Sequence, residues 1–174
     1  MPVREICFLG NPVLRTRCSL VNDVSSRDVQ ETITDLRDTL EDFTVRRGFG
    51  RGIAAPQIGI TKQIIYINFD QFTGALINPK ITKRIKTKLR LWDDCFSFPD
   101  LLVYVERSLR IEVSYLDQSG KRQKLEAHGS LSELLQHEID HINGVLAIDR
   151  ALDSKHIVLR SEYKKIVQTT EAIL

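Results

Sequence analysis

His137-Glu138-Ile139-Asp140-His141 sets two imidazoles four residues apart. On a helix those positions lie one turn apart on a single face, so both rings can grip one cation while Glu138 reaches a water beside it. The chain has four histidines in all, which makes this pairing more telling than two histidines on a polar helix face. A catalytic metal needs a third protein ligand and an open position. Cys95, within Asp93-Asp94-Cys95-Phe96-Ser97, is the preferred candidate; a buried, inert thiol is the competing reading. Cys7 and Cys18 stand in segments without other ligand types and read as structural. Gly50-Arg51-Gly52-Ile53-Ala54-Ala55-Pro56-Gln57 lets backbone pass close to a neighbour, and Gln57 can offer an amide donor to a developing oxyanion. Taken alone the stretch is a weak signal, and an ordinary glycine-rich connection between a helix and a strand is the commoner reading. It lacks the Lys-Ser/Thr ending of a phosphate loop, so nucleotide binding is not supported.

These residues need elements to hold them. Ser130 and Glu133 have capping-box spacing and Gly144 sits where a helix stops, which predicts a helix beneath the two histidines. Val29, Ile33, Leu36, Leu40 and Phe43 form one apolar stripe, which predicts a helix from about Ser26 to Phe43. Gly48, Gly50 and Gly52 then read as a loop. A last helix is expected from His156 to Ala172, with Leu159, Tyr163, Ile166 and Val167 inward. Asn11-Pro12-Val13-Leu14 reads as an N-terminal segment opening on a turn. In the middle, Ile64–Ile67 and Ala75–Ile77 are short apolar runs, the second ending at Asn78-Pro79. Leu109, Ile111, Val113 and Tyr115 alternate with polar residues as in a half-buried strand. Asp117-Gln118-Ser119-Gly120 supplies hairpin turn chemistry. The fold class expected is α+β: mixed and antiparallel strands packed around a central metal-binding helix, with N- and C-terminal helices, in one domain over residues 1–174.

A chain of 174 residues, 42% hydrophobic and 28% charged, can bury a core without disulfide staples. The net charge is +2, and the basic clusters at Lys83–Arg90 and Lys121–Lys124 read as solvated surface, not a nucleic-acid site. Three cysteines do not make a secreted disulfide framework. Met1–Ile6 lacks the apolar core of a signal peptide, and no apolar run is long enough to span a membrane. A reducing cytoplasm is the expected home.

Together the three segments resemble the three motifs of the peptide deformylases: Gly-x-Gly-x-Ala-Ala-x-Gln, Glu-Gly-Cys-Leu-Ser and Gln-His-Glu-x-Asp-His, in that order. Here they are Gly50–Gln57, Asp93–Ser97 and Gln136–His141. The likeness extends to Gly10–Arg15, Ile77–Pro79 and Asn143-Gly144, nearly the whole chain. It implies that Cys95, His137 and His141 hold a divalent metal. Fe²⁺ is the family's common choice, and Zn²⁺, Ni²⁺ or Co²⁺ suits the same ligands. It further implies that Glu138 is the general acid/base, that Gln57 and the backbone N–H of Phe96 are oxyanion donors, and that Gly50, Arg51, Gly52, Phe96 and Phe98 contact substrate. The implied substrate is an N-formylated peptide, such as a ribosome-associated nascent chain starting with formylmethionine, and the products are formate and a free N-terminus.

Departures from the family pattern cluster. Asp93 replaces the usual Glu, Asp94 the usual Gly, and Phe96 the usual Leu. Phe98 stands where a smaller aliphatic is common, and Arg51 where an aliphatic borders the substrate groove. Either the departures repack without consequence or they change the substrate range. Asp140 either orients one of the histidines or is a plain helix-surface carboxylate. Three other functions compete: a deformylase-like amidohydrolase with an altered substrate range; a zincin-type metalloprotease, for which His156 or Glu162 would be the downstream third ligand; and a non-catalytic binding module, which would gain nothing from Glu138.

Overall fold

The computed structural model describes residues 3–171. Eight strands and three α-helices are described, and every pairing between the strands is antiparallel. The mixed sheet allowed by the sequence is therefore an antiparallel one, its hairpins needing only short turns. Strands β1 (Gly52–Ala54), β2 (Ile64–Phe69), β3 (Phe72–Arg84), β6 (Arg110–Leu116) and β7 (Arg122–His128) form one sheet in the order β1-β2-β3-β6-β7. Strands β4 (Lys88–Asp93), β5 (Leu101–Ser108) and β8 (Ile157–Leu159) form a second.

The β1–β3 part of the five-stranded sheet is covered on both faces, which explains its sequence. Ile65, Ile67, Leu76, Ile111 and Val113 pack in one cluster with Leu131, Leu135 and Ile142 of helix α2 (Ser130–Ile142). Ile64, Ala75 and Ile77 point the other way, into a cluster with Ile33, Leu36 and Leu40 of helix α1 (Arg27–Arg47). Successive strand side chains alternate faces. With apolar layers on both sides, Ile64–Ile67 becomes a continuous hydrophobic run. Strand β3 outlasts the apolar stretch from which it was expected: Asn78-Pro79 falls at a register shift between Ile77 and Lys80 instead of ending the strand. A bulge tolerates a proline that has no N–H to give the ladder. Asn78 is the only non-glycine residue described with positive φ, at 51°.

Helix α2 is central, and every residue from Leu131 to Ile142 is buried. The expected capping box does not form. The N-cap is Gly129, which donates no side-chain bond, and the Glu133 carboxylate is drawn instead to Arg51. An ion pair to a buried carboxylate outweighs a cap hydrogen bond that solvent can replace. The helix stops as anticipated, with the Gly144 N–H on the His141 carbonyl at φ 75°. A Cβ there would come 2.6 Å from the Arg15 carbonyl oxygen, so only glycine admits the N-terminal arm.

Three local expectations are corrected. Gly52 opens strand β1 instead of lying in a loop, because Ile53 pairs with Tyr66 and buries. Helix α1 runs past Phe43 to Arg47 before Gly48 turns it off at φ 75°. The last helix, α3 (Arg160–Glu171), starts after His156 because Ile157–Leu159 pairs with Leu101–Val103 as β8. Leu159 is consequently exposed. Ala172 and the side chains of Ile166 and Val167 lie outside the described residues. The turn at Pro12–Arg15 and the β6–β7 hairpin at Asp117–Gly120 form as expected.

Candidate metal centre

Three elements meet at His137 and His141. Helix α2 presents His137, Glu138 and His141. The turn after β4 presents Cys95, and β1 with the turn that follows it presents Gly52 and Gln57. The ligand atoms of Cys95, His137 and His141 all lie within 4.8 Å of one another. His141 Nε2 stands 3.3 Å from Cys95 Sγ and 3.1 Å from His137 Nε2. All three residues are buried. His137 Nδ1 faces Asp93 Oδ2 at 3.0 Å, which makes Nδ1 the donor and turns Nε2 toward His141. Lone-pair atoms at such distances repel unless a cation or proton sits among them. A thiolate and two imidazoles with a carboxylate behind one ring is a donor set that fits a divalent transition metal.

Electrostatics agree with that fit. Burial lowers the His137 pKa, but the Asp93 charge and hydrogen bond outweigh it and hold the ring well above its ordinary value. Burial, with His137 adding, holds His141 well below. Burial also pushes the Glu138 carboxyl up to about 7, and its Oε2 is buried without a hydrogen-bond partner. A Cβ on Gly52 would stand 2.8 Å from Glu138 Oε1, so glycine lets the β1 backbone pass beside this carboxylate. Gln57 is held by its own Oε1, which accepts from the Ala54 N–H at 2.9 Å; its Nε2 lies 3.6 Å from Cys95 Sγ and 3.4 Å from Ser97 Oγ. The other thiols differ. Burial raises the pKa of the half-buried Cys7, and pushes the core residue Cys18 up to about 11, which keeps both as unreactive thiols.

Comparison with known proteins agrees with the motifs. The polypeptide deformylase family model matches residues 3–156. The chain belongs to the polypeptide deformylase family. It is 34% identical to a peptide deformylase of Thermotoga maritima over 96% of this chain and 98% of that protein. The solved peptide deformylase of Synechococcus elongatus, in complex with actinonin, superposes with a TM-score of 0.81 at 36% identity, over 90% of this chain and 82% of that one. A Met-Ala-Ser-bound peptide deformylase of Acinetobacter baumannii gives a TM-score of 0.77 at 26% identity, over 86% and 98% of the two chains.

Within this deformylase-family chain, the unusual residues fall into distinct places. Gly50, Arg51, Gly52, Gln57, Asp94 and Phe96 line the cleft beside the metal centre, with Glu133 and Leu134 of α2. Phe98 does not line it: its ring packs with Leu14, Val103 and Leu146 in the core of the smaller sheet, because the tight turn after Cys95 rotates it inward. Phe96 stacks on Phe43 with ring centroids 3.8 Å apart, and fills the space that Gly50 leaves open; a Cβ at Gly50 would lie 2.4 Å from that ring. Asp94 is not in the left-handed region, so replacing the usual glycine costs no backbone strain. Its carboxylate pairs with Arg160 of α3 at 2.9 Å.

Asp140 touches neither histidine and is not a surface group. It is buried against Arg107 and against Arg150, 2.9 Å away. The acceptor behind His137 is Asp93, which also takes Arg107 at 3.2 Å, while His141 Nδ1 is buried without a partner. Sequence reasoning passed over Arg107 and Glu133. Arg107 carried a usable signal, since it continues the inward row of Val103 and Val105 on a strand of period two. Glu133 carried one as well: it lies four residues before His137, on the same face of the helix.

Proposed function

We propose that this protein is a metal-dependent peptide deformylase, hydrolysing N-formyl peptides to formate and a free amine. The observation that carries the reading is the convergence of Cys95, His137 and His141 beside the buried, unpartnered Glu138 oxygen. A divalent cation held by those three residues supplies Lewis-acid activation of water and of the formyl group. Water adds to the formyl carbon, the C–N bond breaks, and the water's proton has to reach the leaving nitrogen. Glu138 carries that proton, and a carboxyl poised near neutrality suits both taking it up and giving it back. Gln57 Nε2 and the Phe96 N–H donate to the oxygen on which charge develops. The Gln57 amide is oriented for this by its bond from Ala54.

We take Fe²⁺ as the native ion, a cytoplasmic location, nascent chains at the ribosome as substrates, and residues 1–174 as one functional unit. No described helix is long and apolar enough to cross a membrane. A zincin-type protease is disfavoured because His156 is committed to Asp153 at 2.8 Å and stacked on Tyr104. The test is formate release by metal-loaded protein from formyl peptides, starting with formyl-Met-Ala-Ser, alongside metal content of wild type and Cys95→Ser. We expect about one ion per wild-type chain, sharply weaker retention in the variant, and formate only from the loaded form. No formate from any formyl peptide sinks the reading.

A further inference from the structure

A hydrolase acting at a formamide on this metal must place the first residue's side chain within the same cleft. Cβ is only three bonds from the reacting carbon, and a side chain as long as methionine ends on the order of 6 Å from it. That distance is about one helical turn. One turn from His137 along the same face of α2 stands Glu133; Arg51, Asp93, Asp94 and Gln57 share the cleft wall with it, and Phe96 and Leu134 are the apolar side chains there. Glu133 is 3% exposed and joined to Arg51 across the cleft at 2.9 Å. Arg51 is 36% exposed, lies over the Phe69 ring, and makes no other side-chain hydrogen bond among the described residues. Its remaining guanidinium donors are therefore available at the depth where the tip of a first side chain arrives.

We infer that the Arg51–Glu133 pair makes this a polar first-residue pocket, which selects formyl peptides whose first side chain ends in a hydrogen-bond acceptor over those ending in methionine's thioether. The inference rests on the deformylase reading and specifies its substrate class. The physical basis is asymmetric. A thioether laid against a buried ion pair displaces its water and returns no hydrogen bond, whereas a carboxamide or carboxylate of the same length accepts from Arg51. Glutamine and glutamate match methionine in length, so they separate polarity from size.

The experiment compares kcat/KM for formyl-Gln-Ala-Ser, formyl-Glu-Ala-Ser and formyl-Met-Ala-Ser on metal-loaded wild type, Arg51→Met and the double variant Arg51→Ile/Glu133→Ile. Calorimetric affinity for the unformylated product peptides is measured in parallel. We expect wild type to favour an acceptor-ended peptide over formyl-Met-Ala-Ser by about tenfold or more, and the double variant, which removes both charges together, to reverse that order. A preference for glutamate that fades with salt assigns the recognition to charge; one for glutamine that does not assigns it to the neutral amide. Wild type that cleaves formyl-Met-Ala-Ser best overturns the inference and leaves the deformylase reading standing. So does a wild-type order that neither variant changes. No formate from any of the three peptides takes both down. If the double variant does not fold, the wild-type order and Arg51→Met, altered at a partly exposed position, decide the matter.

Discussion

The two walls of the cleft are built on different principles. On the metal wall each reactive side chain is fixed from behind: His137 by Asp93, Asp93 by Arg107, Arg107 by Asp140, and Asp140 by Arg150. Gln57 is likewise fixed by Ala54. The facing wall is held by single contacts between elements distant in sequence, Arg51 to Glu133 and Asp94 to Arg160. The family's ligand types, Cys95, His137 and His141, persist on the first wall, where Asp93 is the one departure, whereas Arg51, Asp94 and Phe96 all depart from the pattern on the second. A site that must keep a cation and an acid/base in register to fractions of an ångström tolerates no slack. A wall that only receives a side chain can change its chemistry while the first wall continues to work.

Removing a group from the metal wall tests this contrast most severely. Glu138→Ala should keep its metal and fold but lose about 10²–10⁴-fold in formate release; near-normal turnover takes Glu138 out of the mechanism. Deeper in the same wall, Asp140→Ala leaves Arg107 buried with only Asp93 for company. We expect a loss of about 3 kcal/mol in denaturant unfolding, the lower part of the range for a broken buried pair because one partner remains. A loss below about 1 kcal/mol means that the charge chain does not rigidify the wall. Asp93→Asn keeps an acceptor for His137 but not the charge, so metal affinity, measured by chelator competition, should fall about 10–100-fold; unchanged affinity shows that the charge behind His137 adds nothing to the hydrogen bond. The facing wall should respond least. Arg160→Ala removes a partly exposed pair with Asp94 and a contact over the Phe49 ring 4.3 Å away. The expected cost is about 1 kcal/mol, with metal content unchanged. A loss as large as that of Asp140→Ala abolishes the distinction between the walls.

The metal wall was legible in the sequence because its residues are close together in the chain or sit at fixed helical spacing. His137, Glu138 and His141 declare themselves by periodicity. Cys95 needed the family likeness, since nothing in its own neighbourhood distinguishes a ligand from a buried thiol. The facing wall was only half legible. Arg51 was visible as an oddity, but its partner Glu133 looked like a capping residue, and only the approach of β1 to α2 reveals the pair. Phe98 was misplaced for a related reason: a turn decides which of two nearby phenylalanines faces the cleft, and turn geometry is not written in residue type. The long strand β3 was hidden by Asn78-Pro79, which normally marks an end and here marks a bulge. β8 was hidden because three residues cannot show a period.

The two-sided burial of β2 also bears on how the molecule opens. Its amides are bonded to β1 on one side and β3 on the other, and apolar layers from both α1 and α2 cover it. We expect such protons to exchange only when the whole structure unfolds. In hydrogen-exchange terms, the two histidine ligands lean on the slowest-exchanging part of the molecule. Loss of the ion and breathing of the cleft rim can then occur many times over the lifetime of a sheet that stays shut.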